Sequence, residues 1–162
     1  VIYNIHMSSI SSYIKKAKEN NLSFYVLKGF YKDAPTQLDF DKYISENNVW
    51  GGKPDIEKKY FSYFKNWREL IEDLSSIYPD TGFSSLIWTE EKDLSVGGTD
   101  IHNDPTDVIH VNCYGRVEWK IIDHCQKEHI VILSPGDILY LKQGVLHQTK
   151  PITARGSLIY SI

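Results

Sequence analysis

The chain has 162 residues, 41% of them hydrophobic and 24% charged, with a formal net charge of −3. That length suits one domain with a substantial core, and the weak acidity leaves no electrostatic footprint for a nucleic-acid backbone or an anionic membrane. No apolar run approaches the ~20 residues that span a bilayer, no signal-peptide pattern opens the sequence, and Cys113 and Cys125 are too few for a disulfide framework or a four-cysteine zinc site, so a cytoplasmic protein is the expectation.

Ile10, Tyr13, Ile14 and Ala17 form a short helical stripe that stops near Asn20-Asn21, and Lys15, Lys16 and Lys18 read as its solvated side. Residues 24–27 are an apolar run of strand length, closed by Lys28-Gly29. Residues 39–47 predict a short helix with Asp39 as its cap, and Trp50-Gly51-Gly52-Lys53-Pro54 a loop. From Tyr60 to Ile77, apolar residues recur every three or four positions, which predicts a longer helix capped by Asp55 and stopped by Pro79.

Beyond residue 80 the pattern changes to short strands: 83–89, 108–113 and 117–122 about the Tyr114-Gly115-Arg116 turn, then 130–133, 138–141 and 158–162. No internal repeat or linker marks a second domain. The order predicts one mainly β domain, with a helical front and one strand over 1–80, a barrel core over 81–162, and the helical layer packed on one face.

Two segments carry chemistry. In Gly97-Gly98-Thr99-Asp100-Ile101-His102-Asn103-Asp104, His102 and Asp104 are two residues apart and share one side of an extended segment. In Pro135-Gly136-Asp137 through Lys142-Gln143-Gly144-Val145-Leu146-His147, a turn, a strand and a second turn lead to a histidine that opens the next strand. A barrel can bring His147 beside the first pair. Two imidazoles and a carboxylate on one face of an ion suit a non-haem Fe(II) oxygenase, with zinc as the rival metal.

The spacing Gly136-(five residues)-Lys142-Gln143-Gly144-(two residues)-His147 is similar to the second cupin motif, with Lys142 where that family usually has proline. His102-Asn103-Asp104 with His147 resembles the HxD…H signature of Fe(II)- and 2-oxoglutarate-dependent oxygenases, within them the jumonji-C and asparaginyl-hydroxylase branch. Gly115, Trp119 and the Pro135-Gly136-Asp137 turn add to the likeness, which covers roughly residues 83–162. It implies a double-stranded β-helix (a cupin, or jelly-roll, barrel) that holds Fe(II) through His102, Asp104 and His147. The implied reaction consumes 2-oxoglutarate and O2 and hydroxylates a protein side chain or a small molecule.

The same resemblance implies a buried cation for the far carboxylate of 2-oxoglutarate. Jumonji-like relatives place a lysine where this chain has Val117, a departure. Lys120 is near, but strand alternation groups it with Arg116 and Glu118 on a solvated face, and a one-residue slip would reverse that. Arg155 with Ser157 resembles the R-x-S element of other oxygenase branches and is the preferred anchor. Thr99 and Asn112 match cosubstrate-contacting positions of relatives, and alternation points His110 and Asn112 inward. The loops 31–56 and 90–100, with their paired glycines, are expected at the barrel mouth. Two rival classes keep parts of this site: a metal cupin without 2-oxoglutarate chemistry (an isomerase or another dioxygenase), and a non-enzymatic binding module.

Overall fold

The computed structural model describes residues 9–47, 64, 66–78 and 83–162. In chain order these form α1 (Ile10–Glu19), β1 (Phe24–Leu27), α2 (Gln37–Asn47), α3 (Trp67–Ser75), β2 (Phe83–Thr89) and a 3-10 turn at Glu91–Asp93. The strands β3 (Val108–Tyr114), β4 (Val117–Ile122), β5 (Glu128–Leu133), β6 (Ile138–Leu141), β7 (Leu146–Pro151) and β8 (Arg155–Ser161) follow. Two antiparallel sheets result, a five-stranded one in the order β1-β6-β3-β8-β2 and a three-stranded one in the order β5-β4-β7. The architecture is mainly β, with the two-sheet form of a cupin barrel. Among the described residues no helix is long and apolar enough to cross a membrane.

Strand alternation assigns each side chain to one of two cores. Val108, Leu139 and Leu141 of the large sheet meet Val117, Trp119, Ile121 and Leu133 of the small one, filling the space between the sheets. The alternate positions of the large sheet, among them Ile109, Val111, Ile138, Leu158 and Tyr160, pack instead against Ile14, Phe40, Trp67 and Leu74 of the three helices. Asp107 ties that helical layer to the barrel: its carboxylate accepts hydrogen bonds from Lys18 Nζ (2.8 Å), Tyr78 Oη (3.0 Å), Tyr140 Oη (3.2 Å) and the Gln143 N–H (2.8 Å).

Several local expectations change. The cap of α2 is Thr36 rather than Asp39. The Asp39 carboxylate accepts from the N–H and hydroxyl of Thr36 while the Asp39 N–H reaches back to the Thr36 hydroxyl, a reciprocal capping box. The helix expected from Tyr60 to Ile77 does not run through Asn66, which adopts φ 64°, and α3 starts at Trp67; residues 60–63 and 65 lie outside the described residues. Asp55, Pro79 and the loop at Trp50-Gly51-Gly52-Lys53-Pro54 lie outside the described residues. The last strand begins at Arg155, three residues before the expected start.

Candidate metal centre and ligand cavity

A cavity of about 770 Å³ opens between the two sheets, and His102, Asp104, His147, Thr99 and Arg155 all line it. One ligand atom each from His102, Asp104 and His147 lies within 4.8 Å of the others. Their convergence has a backbone cause. Residues 99–102 run antiparallel to β7 as a partial fourth strand of the small sheet. His102 and His147 exchange both main-chain hydrogen bonds, at 2.9 and 2.8 Å, and the Thr99 N–H donates to the Thr149 carbonyl at 3.0 Å. The Thr149 N–H in turn donates to the Thr99 hydroxyl at 3.0 Å. The turn before β7 closes the clasp, with the Gly144 N–H donating to the Asp104 carbonyl at 3.0 Å.

Gly97 and Gly98 serve this close approach. A Cβ on Gly98 would sit 2.5 Å from the Thr149 carbonyl oxygen, and one on Gly97 would sit 2.2 Å from the Thr89 methyl. The pair thus packs the ligand segment against β2 and β7.

Each histidine is oriented for coordination. His102 Nδ1 bonds the Asp100 carbonyl at 2.8 Å and His147 Nδ1 the Val145 carbonyl at 2.9 Å, so Nδ1 carries the proton and Nε2 is left as a lone-pair donor. His147 Nε2 lies 3.4 Å from an Asp104 carboxylate oxygen. Burial pushes the His147 pKa down; the Val145 carbonyl and Asp104 pull it up, while His102 adds to the lowering, which prevails. A neutral imidazole is the form that binds a metal. Trp119 stacks on the His147 ring at 5.3 Å. The residues present therefore fit a divalent cation.

Away from these ligands the cavity wall turns cationic. Arg155 is 2% exposed and has no acidic partner among the described residues; one guanidinium nitrogen donates to the Ser157 hydroxyl at 3.3 Å. Ser157 donates to the Asn112 side-chain carbonyl at 3.3 Å, and the Asn112 amide donates to the Gly115 carbonyl at 2.8 Å. Burial brings the Arg155 pKa down to about 10, so the group is charged at neutral pH.

The expected cosubstrate residues thus divide. Arg155 and Thr99 line the cavity, although the Thr99 hydroxyl is engaged with Thr149. Ser157 and Asn112 are completely buried and connect Arg155 to the β3–β4 turn. Lys120 is on the outer face of the small sheet, paired with Glu128 at 2.7 Å and outside this cavity. Of the two expected mouth loops, 90–100 borders the cavity, with Glu90, Asp93 and Val96 at its edge. Tyr31, Phe40 and Tyr43 of the other instead join the core on the helical side.

His110, facing inward as expected of its strand position, is also in the cavity wall, 1% exposed, with neither ring nitrogen bonded among the described residues. Nothing in the residue pattern around it signals that missing partner. Burial first, then the charges of Arg155 and His147, lower its pKa well below the usual histidine range.

The fold is similar to that of acireductone dioxygenase from Bacillus anthracis, solved with a cadmium ion in its active centre. The TM-score is 0.58 at 14% identity, over 93% of this chain and 83% of that one. A cupin-2 domain protein from Shewanella frigidimarina aligns with a TM-score of 0.45 at 11% identity, over 78% and 97%. Oxalate decarboxylase from Bacillus subtilis, with Mn(II) centres, aligns at 0.45 and 16%, over 56% and 23%, so the chain spans about a quarter of that protein's length. No family model and no curated sequence matches the chain. At 14% identity the first likeness concerns the fold alone, a cupin barrel.

Proposed function

We propose that this cupin is an Fe(II)-dependent oxygenase with 2-oxoglutarate as cosubstrate, its iron held by His102, Asp104 and His147. One observation carries the reading: a guanidinium, buried and without an acidic partner, shares a cavity with a two-histidine, one-carboxylate set. A buried charge is costly until it is paired. A dianionic oxoacid removes that cost and leaves the ensemble neutral, since its two negative charges and that of Asp104 offset a divalent ion and one arginine.

Iron in this site would supply dioxygen activation, coupling oxidative decarboxylation of 2-oxoglutarate to succinate and CO2 with insertion of one oxygen atom into a substrate C–H bond. The chain's own residues bind and orient. His102, Asp104 and His147 would hold the ion through two imidazole nitrogens and one carboxylate, the donor set that suits an oxygenase iron. Arg155 takes the far carboxylate through its planar fork, and Asn112 and Ser157 fix the height of that fork. The apolar walls, Ile159 and Ile87 among them, limit water in the cavity. The substrate to be hydroxylated, a protein side chain or a small molecule, enters past the 90–100 loop.

The test is an anaerobic titration of Fe(II)-loaded protein with 2-oxoglutarate, read by the visible charge-transfer band, followed by succinate release on exposure to O2. Band and succinate are expected. Bound iron with neither would assign the chain to the metal cupins that act without this cosubstrate, as an isomerase or another dioxygenase. Absence of any bound metal would leave a binding module.

A further inference from the structure

Buried polar atoms in folded proteins are almost always paired, so each exception asks for a missing partner. Among the described residues, five buried side-chain nitrogens lack one, and four of them belong to three residues of this one cavity wall: both ring nitrogens of His110, Trp119 Nε1 and Arg155 Nε. The fifth, Trp67 Nε1, belongs to the helical layer. Orphans collected on one surface point to a ligand.

The three residues are contiguous. His110 sits opposite Ile159 in the β3–β8 register, one inward-facing pair from Asn112 and Ser157, which in turn hold Arg155. Across the cavity the Trp119 ring meets His110 edge to face at 5.0 Å and 77°, and it also stacks on His147. The wall therefore runs from a metal ligand, through an indole and an imidazole, to a guanidinium, and each of the last three offers an unused N–H.

Resting on the function proposed above, we infer that His110 and Trp119 join Arg155 as hydrogen-bond donors to the bound oxoacid, and that His110 is a specificity-determining residue for a ligand carrying a second carboxylate. A neutral imidazole offers one N–H and one acceptor nitrogen. Facing an oxygen-rich ligand, its N–H and those of Arg155 and Trp119 are satisfied together. Facing an oxoacid with an alkyl tail, they stay unpaired, and a site built to hydrogen-bond a polar group strongly rejects the analogue that lacks it.

The experiment is isothermal titration of Fe(II)-loaded, anaerobic protein with 2-oxoglutarate and with 2-oxopentanoate, which lacks the second carboxylate. It is run on wild type, His110→Leu and His110→Gln, with metal content and ligand-free melting temperature recorded for each. Wild type is expected to prefer 2-oxoglutarate. His110→Leu should bind it at least tenfold more weakly with unchanged iron, narrow the preference over 2-oxopentanoate, and melt no lower than wild type, because two orphan nitrogens have been removed. His110→Gln should recover part of the affinity.

Unchanged affinity in His110→Leu overturns the inference while the proposed function stands. A lowered melting temperature together with an affinity loss that His110→Gln does not restore also overturns it, marking a packing residue. A wild type that takes no 2-oxoglutarate defeats both readings.

Discussion

The two sheets enclose one cavity but obey different rules. In the small sheet, β4 alternates buried and half-exposed residues, with Val117, Trp119 and Ile121 inward and Glu118 and Lys120 outward. In the large sheet, β3, β6 and β8 are buried almost throughout, because helices cover the face that would otherwise meet water. The metal ligands and the buried charge divide along the same line. The small sheet supplies His147 and, through the bridged segment, His102 and Asp104, while the large sheet supplies Arg155 and His110. A half-exposed sheet can hold a metal at its rim, where the ligands stay reachable. The arginine without an acidic partner stands in the sheet whose residues are held from both sides.

If that division holds, damage to the small sheet removes metal. Asp104→Ala or His147→Ala leaves two donors where three converge, and stoichiometric iron is expected to be lost, as measured by metal analysis after gel filtration. Full iron occupancy in Asp104→Ala would strike that residue from the ligand set. Damage to the large sheet should do the opposite. Arg155→Met removes a buried charge at similar volume, so iron content is expected to stay intact while 2-oxoglutarate affinity falls roughly tenfold to a hundredfold, the weight of hydrogen bonds to a charged group. Equal affinity in Arg155→Met would place the cosubstrate anchor elsewhere.

The same contrast explains what the sequence disclosed. Alternation in β4 is plain because water meets one face, so the outward placement of Lys120 was readable from Arg116, Glu118 and Lys120 together. In β3 both faces are apolar or buried, and only the polar letters His110 and Asn112 mark the inner side. Arg155-Gly156-Ser157 has the look of a turn, which is why the strand read from sequence starts at Leu158. Pairing with Thr89 and Trp88 of β2 draws Arg155 and Gly156 into the ladder. The HxD…H set was legible because ligand chemistry constrains residue type and spacing. The role of Gly97 and Gly98 was not, because close approach to Thr149 and Thr89 depends on chain segments remote in sequence. No local pattern tells a histidine with a hydrogen-bond partner from one without.

Away from the cavity, the outer face of the large sheet can be tested through Asp107. Burial alone would raise its carboxyl pKa, but the Lys18 ammonium, the Gln143 N–H and the Tyr78 hydroxyl outweigh it and hold the group below the ordinary value. A depressed folded-state pKa contributes stability that is present above the unfolded value of ~3.9 and is lost as pH falls through the folded value. Asp107→Asn is therefore expected to lower stability at pH 7 by about 1–3 kcal/mol and to flatten the acid limb of melting temperature against pH below ~4. Iron and 2-oxoglutarate binding should be unchanged. An acid limb parallel to wild type would remove Asp107 from the groups that attach the helices.

The smallest effect is expected on the outer face of the small sheet. Lys120 and Glu128 pair at 2.7 Å with side chains 36% and 52% exposed, and an exposed pair of this kind contributes about 0–1 kcal/mol. Lys120→Ala should leave iron, 2-oxoglutarate affinity and melting temperature near wild type. The value of the variant lies in the register it tests. Lys120 stands opposite Gln148, while Ile121 stands opposite His147 and Trp119 opposite Thr149. A shift of β4 by one residue would turn Lys120 into the cavity and Trp119 out of it. A tenfold loss of 2-oxoglutarate affinity in Lys120→Ala would show that shift, and with it a lysine, rather than Arg155, as the anchor of the far carboxylate. Unaltered affinity in Lys120→Ala beside a loss in Arg155→Met would fix both the register of the small sheet and the source of the buried charge in the large one.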